Sequence, residues 1–237
     1  MVTDVTTHRE GTADVRPSPE PPTHRRSRKP RAETAARREA ILQAAMTTFG
    51  AKGYYNGSLT EVADQVGITH AGVLHHFGSK DQLLLEVLEY RDRTDVEHLE
   101  GQQVPGGLGL FEHLVKTARL NAERPGIVAT YAVLSAEAVT ENHPGQAWFR
   151  MRYTVLRDQV RTALTEVCDP ADPPSSGDLD AAAASVLAVM DGLQVQWLLD
   201  RDNVDLARHT AFAIEAILAA AVSGRRRTPV LRSPAEA

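Results

Sequence analysis

From Thr34 onward, apolar residues recur at the spacing of a helix. Ile41, Leu42, Ala45 and Phe49 fall on one stripe, which stops at Gly53, a natural C-cap. Ser58-Leu59-Thr60-Glu61 then reads as a capping box opening a short helix to Val66, and Gly67 breaks it. A second short helix is predicted from Thr69 or His70 to Phe77. Ser79-Lys80-Asp81-Gln82 is another capping box and opens a long helix through Leu83, Leu84, Val87 and Leu88 to about Leu99. Residues 103–109, with Pro105, Gly106, Gly107 and Gly109, read as a linker. Beyond it the pattern predicts helices at about 110–123, 125–140, 145–168, 178–199 and 204–223, and no alternating strand pattern of useful length. The fold class expected is all-α.

The two ends read differently. Residues 1–32 hold Pro17, Pro19, Pro21, Pro22 and Pro30 among charged and small residues, with too little apolar surface to offset ordering entropy. They are expected to form a disordered arm ending in the basic run Arg25-Arg26-Ser27-Arg28-Lys29-Pro30-Arg31. Such an arm either lies along phosphates and enters a minor groove, or merely solubilises. Residues 224–237 read as a disordered tail. Between them, 33–80 form one expected domain and 81–223 a second, helical one.

Charge sharpens this division. The formal net charge is −5, yet residues 23–80 hold nine Lys or Arg against four Asp or Glu, while residues 81–237 hold fifteen against twenty-three. Positive charge placed on one third of an acidic chain points to a polyanion partner. The excess of Arg (22) over Lys (4) reflects codon bias rather than chemistry. The single cysteine, Cys168, rules out an intrachain disulfide or a zinc–cysteine cluster. No apolar N-terminal run resembles a signal peptide, and no stretch approaches about 18 uninterrupted apolar residues, so a cytoplasmic protein without a membrane partner is expected.

The chemistry concentrates between Leu59 and Phe77. Two short helices meet at Gly67. Ala63 is small where they must approach, and Val62, Val66, Ile68 and Val73 supply the contacts between them. This is a helix-turn-helix layout whose second helix is short enough for a major groove. Thr69 and His70 stand at the N-terminus of that helix, where its dipole favours phosphate. Ala71 and Gly72 let the backbone come close, and His75, His76 and Lys80 follow on the flank. His70, His75 and His76 are not read as metal ligands, because adjacent helical positions diverge by about 100° and no carboxylate or cysteine completes a set.

These residues resemble the DNA-binding domain of the TetR family. The matching positions are Arg38, Ile41, Leu42, Ala44-Ala45, Phe49, Gly53-Tyr54, Ser58, Val62-Ala63, Gly67-Ile68-Thr69, His76-Phe77, Ser79-Lys80-Asp81 and Leu83. The resemblance implies base contacts from Thr60, Thr69, His70, Ala71 and Gly72, and phosphate contacts from Ser58, His75, His76 and Lys80. One departure matters: Leu74 stands where many members carry a tyrosine whose hydroxyl touches a phosphate. The resemblance further implies a homodimer bound to operator DNA and a small-molecule effector of unknown identity. Two alanine-rich helices fit a dimer interface. One carries the stripe Ala182, Val186, Met190 (or Val189), Leu193 and Trp197, the other Ala207, Ala211, Ile214, Leu218 and Ala221.

Candidate pocket residues are His113, Thr117, Asn121, Tyr131, Glu137, Trp148, Met151, Met190, Gln194 and Trp197. They suggest a Trp- and Met-rich pocket for a flat or apolar organic molecule. The expected function is a ligand-responsive, sequence-specific regulator, a repressor released from a palindromic operator by the effector. Ligand binding would act through the helix near 79–99. Alternatives are an activator, a DNA-binding protein governed by a protein partner or lacking sequence preference, and an enzyme on a helical scaffold. No phosphate-cradling loop, nucleophile elbow or metal pair supports the last, so no catalytic residue and no cofactor are assigned. Because histidine titrates near neutrality, operator binding measured at fixed salt is expected to be tighter at pH 6 than at pH 8. A flat response would remove the histidines from the interface.

Overall fold

The computed structural model describes residues 28–96 and 103–222, leaving aside the side chains of 28–32, 95 and 96. The expected tail and residues 1–27 of the expected arm lie outside the described residues. By its contacts the chain divides after Ala36. The described part of the first unit is the opening of a helix, and everything below concerns the second unit, from Arg37 onward.

Among the described residues there are nine helices and no strand. They are α1 (Arg28–Asn56), α2 (Leu59–Gln65), α3 (His70–Phe77), α4 (Lys80–Val96), α5 (Gly107–Ala122), α6 (Pro125–Glu137), α7 (Gln146–Val167), α8 (Ser176–Leu199) and α9 (Leu206–Val222). Most boundaries shift by one to three residues, and two of the shifts carry a helix into a segment expected to be irregular. Helix α1 begins at Arg28, inside the expected arm, and Pro30 falls in its first turn, where a missing N–H costs nothing. Helix α5 begins at Gly107, inside the expected linker, after Gly107 itself turns the chain at φ +52°.

The apolar stripes converge on three clusters. The first gathers α1 to α4 around Ile41, Phe49, Val62, Val73, Leu83 and Leu84, and takes in Tyr131 and Leu134 of α6 and Phe149 of α7. The second joins α5, α7, α8 and α9 around Leu110, Val160, Leu164, Val186 and Ile214. A small third cluster holds Ala118, Val128, Trp197 and Leu206. Helix α7 therefore serves two cores, with Phe149 in the first and Val160, Ala163 and Leu164 in the second. Cys168 is buried behind α9, its Sγ 3.9 Å from the Ala221 carbonyl.

Helix α8 packs against α6, α7 and α9. It is the one described helix long and apolar enough, with mean hydropathy 1.4, to meet the length and composition of a membrane span. Its charge at Asp191 sits opposite Tyr153 of α7, which donates a hydrogen bond to it. The rest of its apolarity has two origins. One face, Val186 to Trp197, fills the cores, and the other, from Ala181 through Ala184, Ala188 and Val195 to Leu199, is exposed. Helix α9 likewise leaves Phe212 and Ala216 exposed.

Candidate functional site: a helix-turn-helix joined to a polar cavity

Capping residues set the two short helices. The Ser58 hydroxyl accepts the Thr60 N–H at 3.1 Å, and the Thr69 hydroxyl accepts the Gly72 N–H at 3.1 Å. Glu61 closes the first box on the Ser58 backbone and also meets Lys52 at 2.5 Å; Lys52 is the larger reason its carboxyl titrates below the usual range. Gly67, at φ +66°, makes the turn, and Ile68 N–H returns to the Ala63 carbonyl at 3.0 Å. Ala63, Val62 and Val73 are buried between the helices.

This leaves Thr60 exposed at the start of α2 and Thr69, His70, Ala71 and His75 exposed along the turn and α3, with Ser58, Gly72 and His76 half-buried beside them. Leu74 packs on the first core. Lys80 is less available than the sequence suggested. Its ammonium lies 4.6 Å from the centre of the Tyr54 ring and donates to the Tyr55 carbonyl at 3.3 Å. Burial there lowers its pKa, against the opposing pull of Glu137 and Asp81. Among the described residues, no three His, Cys, Asp or Glu side chains gather as metal ligands would.

Two groups of contacts fix this reading head. Arg38 of α1 bonds the His76 carbonyl and both oxygens of Glu86, and its guanidinium stacks 4.2 Å from the Phe77 ring centre, tying α1 to α3 and α4. The second group lies where α1 breaks, at Gly53 (φ +75°). Here the Glu137 carboxylate, from the end of α6, accepts the Tyr54 N–H at 2.6 Å and fills the space a Cβ on residue 53 would need. The Tyr54 hydroxyl donates to Asp81 of α4; burial first, and then that carboxylate, push its pKa upward. Two turns further back, the Thr130 hydroxyl of α6 donates to the Met46 carbonyl at 2.9 Å, where Gly50 permits close approach.

His143, 3% exposed, sits under this joint with its ring 5.3 Å from that of Tyr54 and 5.6 Å from that of Tyr55. Its Nδ1 accepts the Gly145 N–H at 3.1 Å, and its Nε2 lies 3.9 Å from Glu137. Burial lowers its pKa, more than Glu137 and Asp81 raise it.

On the other side of α6 lies a cavity of about 220 Å³ walled by α4, α5, α6, α7 and α8. It brings together six of the ten sequence candidates: His113, Thr117, Asn121, Tyr131, Met190 and Gln194. The first three recur every four residues along one face of α5. The other four candidates sit elsewhere. Glu137 faces Gly53 instead, because α6 turns that position toward α1. Trp148 packs on the first core and Trp197 is buried in the third cluster, both as plain packing. Met151 is 65% exposed on the outer face of α7. The cavity is therefore not Trp-rich, and Met190 is its one methionine.

Sequence reasoning missed Arg91, Arg152 and Asp191 on the cavity wall. Two carried a signal. Asp191 is the one charge between Asp180 and Asp200 in an apolar helix, and Arg91 falls on the buried stripe of Leu84, Val87 and Leu88. Asp92 bridges the arginines, reaching Arg91 at 3.3 Å and Arg152 at 2.5 Å.

Residues 41–87 match the model of the bacterial regulatory proteins of the TetR family, and residues 114–222 match the C-terminal domain of BetI-type transcriptional repressors. The HTH-type transcriptional repressor AcnR of Corynebacterium jeikeium is 31% identical over 161 residues, spanning 68% of this chain and 81% of that protein. The HTH-type transcriptional regulator BetI of Agrobacterium fabrum is 26% identical over 207 residues, 83% and 95% of the two chains. Among solved structures, SmeT, the repressor of the Stenotrophomonas maltophilia multidrug efflux pump SmeDEF, shares the fold with a TM-score of 0.62 at 22% identity, over 85% of this chain and 96% of that one. A helix-turn-helix held by capped short helices, set on a helical domain with a polar cavity, defines a DNA-binding transcriptional regulator. The chain belongs to the TetR family.

Two outcomes follow from the joint. Gly53→Ala puts a side chain at positive φ where Glu137 already lies, and is expected to cost about 1–3 kcal/mol or more, measured as a lower urea midpoint at unchanged slope. For His143, a folded-state pKa below the unfolded one means the unfolded chain binds more protons as pH falls below about 6.5, so its contribution to stability is present above that pH and lost below it. His143→Asn is expected to flatten urea-derived stability over that acid range; an unchanged slope would show that other groups carry it.

Proposed function

We propose that this regulator is a repressor that binds a palindromic operator as a homodimer and is released when a small molecule fills the cavity between α4 and α8. The observation that carries the reading is the double duty of α4 and α6. Helix α6 offers Tyr131 to the cavity, and its neighbour Thr130 and, nearly two turns along, Glu137 to the backbone of α1. Helix α4 offers Arg91 to the cavity, and Glu86 and Asp81 to Arg38 and Tyr54. A ligand that shifts either helix thereby shifts the reading head. It need only favour the released arrangement, by a coupling of about 1–3 kcal/mol.

On DNA, Thr60, Thr69, His70, Ala71 and Gly72 are assigned to base edges, and Ser58, His75, His76 and Lys80 to phosphates. Two copies pair through the exposed faces of α8 and α9, where Leu199 and Phe212 are 83% and 74% exposed and Ala184, Ala188 and Ala216 allow close helix approach. Such a dimer would present two recognition helices about 34–36 Å apart, or at another spacing that fits successive major grooves.

The first test is a polarisation titration of DNA upstream of the protein's own and neighbouring genes against scrambled competitor. Saturation at dimer stoichiometry with a preference of about 10³-fold or more supports the reading. Uniform weak binding overturns it in favour of a DNA organiser without sequence preference. Phe212→Glu is expected to yield monomers in sedimentation and to abolish specific binding. Thr69→Ala is expected to change sequence preference, at about 1–3 kcal/mol for the base it reads. Lys80→Ala is expected to weaken all sequences alike and lower the salt slope by about 1. A loss with unchanged slope would assign Lys80 to the Tyr54–Tyr55 joint and not to DNA.

A further inference from the structure

Three uncharged side chains on the cavity wall are buried with hydrogen-bonding capacity left over. Asn121, 1% exposed, uses its Oδ1 to accept from Arg124 at 2.9 Å, while its Nδ2 has no hydrogen-bond partner. Gln194, 6% exposed, has an unpartnered Oε1, and the Thr117 hydroxyl is unpartnered as well. Thr117 and Asn121 are one turn apart on α5, and Gln194 comes from α8. Leaving such groups unmet costs about 1–3 kcal/mol each. Their capacities are complementary: Asn121 needs an acceptor, Gln194 needs a donor, and Thr117 serves either.

The charged groups around the same space are largely paired with one another, although the Arg152 Nε–H is buried without a hydrogen-bond partner. Arg91 stacks on the Tyr131 ring at 4.2 Å and shares Asp92 with Arg152. Asp191 accepts from the Tyr153 hydroxyl at 2.6 Å and lies in the field of both arginines. Arg91 and Arg152 are thus offset by Asp191 on the cavity wall and by Asp92 behind it. An ion entering this cavity would lose its water and find no unbalanced countercharge, a penalty of several kcal/mol. Leu110, Leu114, Leu156, Leu187 and Met190 supply an apolar wall for the remainder of a ligand.

We propose that the effector is a neutral amphipathic molecule whose polar end both accepts and donates hydrogen bonds, a carboxamide, lactam or hydroxyl compound, with its acceptor on Asn121, its donor on Gln194 and its apolar body along the leucines. A carboxylate offers acceptors alone and strands Gln194. An ammonium offers donors alone and strands Asn121. The inference rests on the reading of this cavity as the effector site.

The test is calorimetric titration of the full chain with four probes sharing a six-carbon body: hexanamide, 1-hexanol, hexanoate and hexylammonium. It is run at pH 8, where histidine is uncharged. Hexanamide and 1-hexanol are expected to bind at least about tenfold more tightly than either ion. In Gln194→Met, with its fold checked by circular dichroism, hexanamide is expected to weaken about tenfold while hexanoate, which has nothing to donate, does not weaken. Equal or tighter binding of an ion overturns the proposal. So does a uniform loss across all four probes in Gln194→Met, and so does absence of binding by all four, which would leave the polar atoms to water. Release of operator DNA is read separately by gel shift. Calorimetric binding without release leaves the ligand class standing and overturns the release reading. Intact specific DNA binding with no probe bound overturns the ligand class alone.

Discussion

A helix that ends inside a protein leaves amides and carbonyls that must find partners. At the break in α1 that demand is met from far along the chain, by the Glu137 carboxylate on the Tyr54 N–H. Gly53 supplies the positive φ that ends the helix and the empty space that lets the carboxylate in. From this one contact the rest of the head takes its place. Tyr54 is held so that its hydroxyl reaches Asp81 and its ring lies under Lys80, which sets the start of α4. Arg38 then locks α3 between α1 and α4. The recognition helix is eight residues long and has little stability of its own; its orientation comes from these outside constraints.

The same economy explains the arginines. Arg91 is 4% exposed, and burial of a lone guanidinium would be prohibitive. It is tolerable because Asp92, its neighbour in sequence, also reaches Arg152, and because the Tyr131 ring offers its face. One carboxylate thus connects α4 to α7 at the edge of the cavity, next to the aromatic ring that α6 contributes. The cavity wall and the supports of the helix-turn-helix are made of the same helices, α4 and α6.

The head was legible in the sequence because its signals are local. Capping residues at Ser58 and Ser79, a turn glycine at 67 and small Ala63 at the crossing are each read within a few residues, and the structure places them so. The cavity was half legible. His113, Thr117 and Asn121, named among the candidates, fall one helical turn apart and line the cavity, but the tryptophans named beside them proved to be packing. Glu137 was misplaced for a physical reason: its partner is a backbone amide exposed by a kink, and that need becomes visible only once α6 is docked on α1. Arg91 and Asp191 were passed over because a charge on an apolar stripe reads as a blemish until the ring or hydroxyl it meets from another helix, Tyr131 or Tyr153, is known.

Helix α7 is pinned at both ends, by Phe149 in one core and by Ala163 and Leu164 in the other. Of the residues it lends to the cavity, Val155 and Gln159 lie between those pins and belong to neither core. Substitutions at those two positions change the shape of the cavity wall without unseating the helix that carries them. For a lineage of regulators this separates two kinds of inheritance: the anchors keep the molecule foldable and connected to its reading head, and the stretch between them is where chemical appetite can drift from one descendant to the next.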